Sequence, residues 1–147
     1  MATSRGYPAF LLVMGKSSAA QNAILIVEDE DLLRLHAADL LEEAGFEVLE
    51  AADADAALAL IGSRPDIRIL FTDIGLPGEL DGIELAQTVH ERWPHVLLLV
   101  TSGKQRPSES EIADNGRFLA KPYTRDDVIR EIGALEREAE ARRRRGC

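Results

Sequence analysis

Short, mostly apolar runs alternate along this chain with longer segments of helical spacing, and this alternation restricts the fold more than any other feature. Ala23–Val27, Ile67–Thr72 and Val96–Val100 are each typical of a strand that is buried on both faces. Between such runs, apolar residues recur every three or four positions, as in amphipathic helices. Repetition of this unit about five times predicts an α/β fold, a doubly wound five-stranded parallel sheet with helices on both faces.

Residues that start and stop helices mark the predicted helix boundaries. Gly45 is expected to end the first helix, which begins at Asp31, and Asp53 is expected to cap the second. Pro94 follows the third helix, and Thr124 is expected to cap the last one. These signals agree with the apolar spacing, so the local and the periodic evidence predict the same elements.

Two segments carry weaker signals. The polar stretch 103–116 contains Pro107 and has room for at most one short helix. The charged continuation of the last helix, Glu136 to Arg145, is expected to fray. We therefore divide the chain into a flexible leader (1–22), one domain (23–137) and a charged tail (138–147).

Composition excludes several classes of protein. The 147 residues suit one domain and include no apolar stretch near the ~20 residues that a membrane span needs. The net charge of −9 argues against a nucleic-acid partner and favours a cation as partner. Cys147 is the only cysteine, which excludes a disulfide within one chain and suggests a reducing compartment.

The N-terminal residues carry a faint secretory pattern. Arg5 precedes the apolar run Tyr7–Met14, and small residues follow at positions 17–20. The run is short and contains Pro8, so export is the less favoured interpretation. A leader, or a true start at Met14, is the favoured one.

Polar side chains stand at the ends of four predicted strands. Glu28 and Asp29 follow the first strand, Asp73 ends the third, Thr101 ends the fourth, and Lys121 follows the fifth. Ligands of open parallel sheets bind outside the carboxyl ends of the strands, so these residues are expected to converge. An oxygen-only ligand set suits Mg²⁺, and an aspartate beside Mg²⁺ can act as a nucleophile toward a phosphoryl group.

Four motifs in this order and spacing resemble the receiver domains of two-component response regulators. They are Val27–Asp29, Phe71–Pro77 with Asp81-Gly82 after it, Leu99–Gly103, and Phe118–Pro122. The resemblance covers about Ala23 to Leu135. It implies a flavodoxin-like receiver fold with the strand order 2-1-3-4-5.

The resemblance also implies a phosphoacceptor and a metal site. Asp73 corresponds to the phosphorylated aspartate. Asp29 and Glu28 would hold Mg²⁺, directly or through water, together with Asp73 and the backbone carbonyl of Gly75. This chain has Glu28 where aspartate is the commoner residue in the family, and the longer side chain moves one carboxylate by a methylene group.

Further positions correspond to the switch residues of the family. Thr101 matches the switch hydroxyl, Lys121 the lysine that pairs with the phosphoryl group, and Phe118 the switch aromatic. The family often has a cis peptide bond before Pro122. The segment 103–115 is shorter and more polar than the usual fourth helix, which belongs to the usual output face.

The function implied is that of a stand-alone, cytoplasmic receiver without its own output domain. A histidine kinase or a histidine phosphotransfer protein would phosphorylate it, and it would act on a downstream protein that the sequence does not identify. It would not be an enzyme beyond its own phosphorylation and dephosphorylation. Membrane and nucleic-acid partners are not expected, and a homodimer is left open. The basic run Arg142–Arg145 is interpreted as solvated, with docking to an acidic partner as the alternative.

Two other functions are open. One is a degenerate receiver that serves only as a binding module. The other is a Mg²⁺-dependent aspartyl-phosphate phosphatase. Enzymes of this class typically have a second aspartate two positions after the nucleophile. Gly75 occupies that position here and offers no acid–base group.

Overall fold

Five parallel strands form one sheet in the order β2-β1-β3-β4-β5, as the resemblance implied. This is a computed structural model, and it describes residues 23–104 and 106–146. The predicted leader lies outside the described residues. The strands are β1 (Ala23–Val27), β2 (Glu47–Ala51), β3 (Ile67–Asp73), β4 (Leu97–Ser102) and β5 (Gly116–Ala120).

Helices cover both faces of the sheet, which confirms the doubly wound architecture. They are α1 (Asp31–Glu43), α2 (Ala54–Ser63), α3 (Gly82–Arg92) and α4 (Arg125–Gly146). Because side chains alternate along a strand, Ile24 and Ile26 pack with α1 and α4, whereas Leu25 packs with α2 and α3. Every residue of β1 is therefore buried.

Local hydrogen bonds set the helix boundaries where the sequence predicted them. The Asp53 carboxylate accepts from the backbone N–H of Ala56 at 2.8 Å. Thr124 and Asp127 cap α4 reciprocally, with the Thr124 hydroxyl accepting from the N–H of Asp127 at 3.1 Å and the Asp127 carboxylate accepting from the N–H of Thr124 at 2.9 Å. Gly45, just after α1, has φ of 101°, a conformation that glycine adopts without steric cost.

The last helix extends further than the sequence predicted. We expected Glu136 to Arg145 to fray, but α4 is continuous to Gly146, so most of the predicted tail is helical. Ala139 is buried against the sheet, and two arginines of the sheet anchor the helix. Arg68 of β3 binds Glu136, and Arg117 of β5 binds both Glu131 and Glu138.

The segment between β4 and β5 is short of regular structure, as expected. Its only helical turn among the described residues is a 3₁₀ turn at Glu109–Glu111, where the Glu111 carboxylate accepts from the backbone N–H of Ser108 at 2.9 Å. The strands on either side are therefore joined with no full-length helix between them. No helix in residues 23–104 and 106–146 combines the length and apolar character required to cross a bilayer.

Candidate functional site

The candidate site lies where the carboxyl ends of β1, β3, β4 and β5 meet. Asp73 is the last residue of β3, and the register of the sheet places it opposite Thr101 of β4. Glu28 directly follows β1, and Lys121 directly follows β5. The structure thus brings together the residues that the sequence predicted at this edge, although they come from distant parts of the chain.

Three carboxylates form an acidic cluster. Each residue offers one carboxylate oxygen, and these oxygens lie within 4.8 Å of one another: they belong to Glu28, Asp29 and Asp73. Glu28 is buried, Asp73 is half-buried and Asp29 is exposed. Such close like charges repel one another unless a cation lies between them. Oxygen ligands alone, with one side open to solvent, suit a hard cation that keeps part of its water shell, as Mg²⁺ does. The residues present therefore fit the metal that the resemblance implied.

Lys121 joins two of these carboxylates. Its Nζ donates a hydrogen bond to Oε1 of Glu28 at 2.9 Å and lies 3.6 Å from Oδ1 of Asp73. Burial alone would lower the pKa of the Lys121 ammonium, but the hydrogen bond to Glu28 and the charges of Asp73 and Glu28 outweigh it, so this pKa is raised. The lysine is therefore held as a cation beside the predicted phosphoacceptor.

Glu28 differs from the other two carboxylates in how its oxygens are engaged. One oxygen accepts from Lys121, and Oε2 accepts from the backbone N–H of Glu30 at 3.1 Å. The longer side chain of glutamate reaches the lysine from a position that is only 5% exposed. In this arrangement Glu28 anchors Lys121, which leaves Asp29 and Asp73 as the more accessible carboxylates of the cluster.

The Thr101 hydroxyl is buried and has no hydrogen-bond partner among the described residues. It lines a small cavity with Glu28, Asp73 and Tyr123. A buried hydroxyl without a partner carries a desolvation cost of ~1–3 kcal/mol, which an incoming acceptor oxygen would relieve. The Thr101 hydroxyl is therefore an available hydrogen-bond donor in the same cavity as Asp73.

The predicted switch aromatic, Phe118, is half-buried on β5. The Arg106 guanidinium carbon lies 5.1 Å from its ring centroid, in cation–π geometry. Arg106 was not predictable from the sequence, because an arginine in an irregular segment carries no signal of what it contacts. The contact connects the aromatic position to the 103–115 segment.

Tyr123 is a second residue that the sequence analysis missed. Its ring centroid lies 5.6 Å from that of Phe71, and the residue follows a cis Lys121–Pro122 bond of the kind the resemblance implied. Burial, with the negative charges of Glu28 and Asp73, raises the pKa of Tyr123 to about 12. The phenol therefore stays neutral at physiological pH and borders the acidic cluster as a dipole.

Three glycines surround the predicted phosphoacceptor. A Cβ at Gly75 would lie 3.8 Å from Oδ2 of Asp73, and one at Gly103 would lie 3.7 Å from Cβ of Lys121, both ordinary contacts. A Cβ at Gly82 would lie only 2.0 Å from the backbone oxygen of Asp73. The sequence motifs include Gly82 only beside Asp81, since a close backbone approach leaves no trace in the sequence.

Comparison with known proteins agrees with this geometry. The sequence model of the family described as the response regulator receiver domain matches residues 24–133. A solved CheY-like response regulator receiver domain from Methanospirillum hungatei superposes with a TM-score of 0.71 at 27% identity, covering 82% of this chain and 98% of that one.

Two curated relatives are response regulators. The transcriptional regulatory protein PdtaR of Mycobacterium tuberculosis is 33% identical over 135 residues, which cover 82% of this chain and 64% of that protein. The nitrogen assimilation regulatory protein NtrX of Azorhizobium caulinodans is 36% identical over 111 residues, covering 72% of this chain and 24% of that protein. The chain thus spans less than two thirds of the length of either relative. The family match and these similarities show that the chain belongs to the response regulator receiver domain family.

Proposed function

We propose that Asp73 accepts a phosphoryl group from a phosphohistidine of a histidine kinase or of a histidine phosphotransfer protein. Mg²⁺ would be held by the carboxylates of Asp29 and Asp73 and the backbone carbonyl of Gly75, with Glu28 acting through water or directly. The observation that carries this proposal is the buried hydroxyl of Thr101, which has no partner within residues 23–104 and 106–146. It lies beside the carboxylate of Asp73, which is also 3.6 Å from Lys121.

Phosphoryl transfer at this site needs one bond to form and one to break. An oxygen of Asp73 bonds to phosphorus while the phosphorus–nitrogen bond of the donor breaks. The electron pair of the broken bond stays with the imidazole nitrogen. Lys121 and the Thr101 hydroxyl donate hydrogen bonds to the phosphoryl oxygens, where negative charge is concentrated. Mg²⁺, when held by these residues, would supply further neutralisation of that charge.

The site also discriminates among the alternatives. Gly75 places no acid or base near Asp73, which disfavours a dedicated phosphatase. A receiver used only for binding would not need an acidic cluster, a lysine and a free hydroxyl in one place.

We propose a cytoplasmic location, supported by the reducing compartment that the cysteine content suggests. The downstream partner is a protein.

Metal dependence is the direct test of this function. Asp29→Ala should abolish Mg²⁺ binding and phosphoryl labelling by acetyl phosphate, because it removes the most accessible carboxylate of the cluster. The variant should melt at or above the wild-type temperature without Mg²⁺, since one like charge leaves the cluster. Magnesium titration followed by NMR and intact-mass measurement with and without Mg²⁺ give both results.

The matched control for this experiment is Asp39→Ala, which removes an exposed carboxylate from the middle of α1. It should bind Mg²⁺ and accept phosphate as the wild type does. Wild-type affinity in Asp29→Ala would contradict the metal site, and labelling of the wild type without any divalent cation would contradict the mechanism.

A conformational change at Phe118 is expected on phosphorylation. An anion bound to the Thr101 hydroxyl draws that side chain inward and opens space for the Phe118 ring, which then leaves Arg106. The change is a shift in population whose size is limited by the difference in phosphoryl contacts between the two states. Beryllofluoride with Mg²⁺ should reproduce it as NMR shifts at Phe118 and Arg106. Thr101→Val keeps the side-chain shape without the hydroxyl and should lose these shifts, and wild-type shifts confined to the loops around Asp73 would contradict the coupling.

The lifetime of the aspartyl phosphate should depend on residue 103. Hydrolysis needs water in line with the phosphorus and the Asp73 oxygen. Gly103→Lys places a long side chain beside Lys121 and should slow phosphate loss at least threefold, a barrier change of roughly 0.65 kcal/mol.

Gly103 is not among the described glycines with positive φ, and a Cβ there meets only ordinary contacts. We therefore expect no loss of melting temperature in Gly103→Lys. Gly103→Ala is the control, because it adds only the Cβ and should keep the wild-type rate of hydrolysis. A variant with a lower melting temperature and an unchanged rate would show that Gly103 serves only the backbone turn.

A further inference from the structure

Arg34, in the first turns of α1, binds the loop that carries the acidic residues. Its Nη1 donates to the backbone carbonyl of Glu28 at 2.8 Å. The same guanidinium donates to Oε1 of Glu50 at 3.1 Å and to Oδ1 of Asp31 at 2.8 Å. Its side chain is only 18% exposed, so this is a largely enclosed group and not a solvated surface charge.

These contacts connect the loop to the end of β2. The backbone N–H of Glu28 donates to the carbonyl of Ala51 at 3.1 Å. The residue before Ala51 is Glu50, whose carboxylate accepts from Arg34. The β2 strand lies at the edge of the sheet, and four of its five residues are exposed or half-buried. Packing therefore holds this strand less firmly than the central ones, and hydrogen bonds contribute more to its position.

The backbone of Glu28 determines where two functional carboxylates lie. Glu28 must reach Lys121, and Asp29 follows it directly in the chain. A guanidinium can hold the carbonyl and a carboxylate at once because its donors form a rigid planar fork. No other described contact ties this carbonyl to both α1 and β2.

We propose that Arg34 is a positioning residue for the metal site, fixing the backbone of Glu28 and thereby the carboxylates of Glu28 and Asp29 relative to Asp73. This inference rests on the proposed function of the site and adds a residue that acts on it only through the β1–α1 loop. Arg34 differs from the other arginines in ion pairs described above because it also binds the backbone of the loop that carries Glu28 and Asp29.

A positioning role and a purely electrostatic role of Arg34 predict opposite changes in Mg²⁺ affinity when Arg34 is removed. If Arg34 acted only as a nearby positive charge, its removal would reduce repulsion of a cation and tighten Mg²⁺ binding. If it positions the ligands, its removal loosens them and weakens binding. The sign of the change therefore separates the two roles.

The experiment is a Mg²⁺ titration of the full chain, followed by the NMR shifts of the Asp73 and Gly75 amides. Arg34→Ala should weaken Mg²⁺ binding about tenfold, the lower end of the range for residues that orient metal ligands. Arg34→Lys should also bind at least about threefold more weakly than wild type, because a single ammonium cannot reproduce the fork. The lysine variant keeps the charge and provides the result if the alanine variant does not fold.

Arg64→Ala is the matched control. Arg64 also bridges two carboxylates, those of Glu47 and Asp66, but at the opposite end of β2 and β3. This variant loses a comparable ion-pair network, so it should share any general loss of melting temperature. Its Mg²⁺ affinity should equal that of the wild type.

Each other outcome overturns the inference. Unchanged or tighter Mg²⁺ binding in Arg34→Ala contradicts a positioning role, as does wild-type affinity in Arg34→Lys. An equal loss of affinity in Arg64→Ala would assign the effect to general stability. A wild-type chain that binds no Mg²⁺ would overturn the proposed function together with this inference, whereas the other outcomes leave the proposed function intact.

Discussion

Asp73→Asn is expected to abolish the phosphoryl labelling that acetyl phosphate and Mg²⁺ produce in the wild type. The substitution replaces the nucleophilic carboxylate with a neutral amide of nearly the same size, so the fold and the other donors remain. The nucleophile must attack phosphorus as an anion, and the amide has neither the charge nor the reactivity for this. Intact-mass measurement should show one added phosphoryl group in the wild type and none in the variant.

The site offers a close control for this substitution. Asp81 borders the same cavity as Asp73, and its carboxylate caps α3 by accepting from the N–H of Glu84 at 2.9 Å. Asparagine caps helices about as well as aspartate, so Asp81→Asn should fold normally. It should also be labelled like the wild type, because Asp73 remains. Equal labelling of Asp73→Asn and wild type would show that another residue accepts the phosphoryl group.

Asp73→Asn should also weaken Mg²⁺ binding, since it removes one of three clustered carboxylates. This second result separates two ways of losing the label. A variant that still binds Mg²⁺ but is not labelled has lost only the nucleophile, whereas one that binds no Mg²⁺ has lost both functions of the carboxylate. Both outcomes are measured on the same sample by adding an NMR titration.

Gly82→Ala is expected to be among the most destabilising single substitutions in this domain. The added Cβ would lie 2.0 Å from the backbone oxygen of Asp73 and 2.7 Å from the carbonyl carbon of the same residue. These are backbone atoms, which cannot rotate away as a flexible side chain can. The N–H of Gly82 also donates to the carbonyl of Ile74 at 2.8 Å, which holds the start of α3 against the end of β3.

We expect a loss of about 3 kcal/mol in the free energy of unfolding, the upper end for overpacking. For a domain of this size that corresponds to a fall in melting temperature of about 10 °C. Because relief of the clash moves Asp73, Mg²⁺ binding and phosphoryl labelling should fall as well. Thermal unfolding followed by circular dichroism measures the first effect, and the titration measures the second.

Gly62→Ala is the matched control, because it is the same substitution in another helix. A Cβ at Gly62 would lie 3.8 Å from Cζ2 of Trp93, an ordinary contact. Alanine is favoured over glycine in helices by up to about 1 kcal/mol, so this variant should be as stable as the wild type or more so. Equal melting temperatures for Gly82→Ala and Gly62→Ala would contradict the close approach of Gly82 to the backbone of Asp73.

Local and periodic features were predictable from the sequence because short-range physics determines them. Asp53 and Thr124 cap helices through hydrogen bonds to residues three positions away. The apolar runs predicted buried strands because only a central parallel strand has both faces covered. The convergence of Asp73, Thr101 and Lys121 followed in turn, since parallel strands end at the same edge of the sheet.

The length of the last helix shows where such reasoning fails. Residues 136–145 are rich in charge, and by themselves they suggest an end that unwinds. Arg68 and Arg117 stand on strands far away in the sequence, and their ion pairs with Glu136 and Glu138 stabilise the helix there. The pattern of charges on one helix does not reveal which strand residues will face them.

Sequence alone determined the fold class, the order of the elements and the strand ends whose polar residues converge, because these depend on burial, periodicity and strand direction. Only the tertiary structure decided that Lys121 lies closer to Glu28 than to Asp73 and that Arg34 binds the backbone of Glu28. It also decided that the Thr101 hydroxyl has no partner in the part of the chain that the structure describes. Each of these depends on the distances between groups from separate elements. Such distances are set by the packing of the whole domain, which no local pattern in the chain contains.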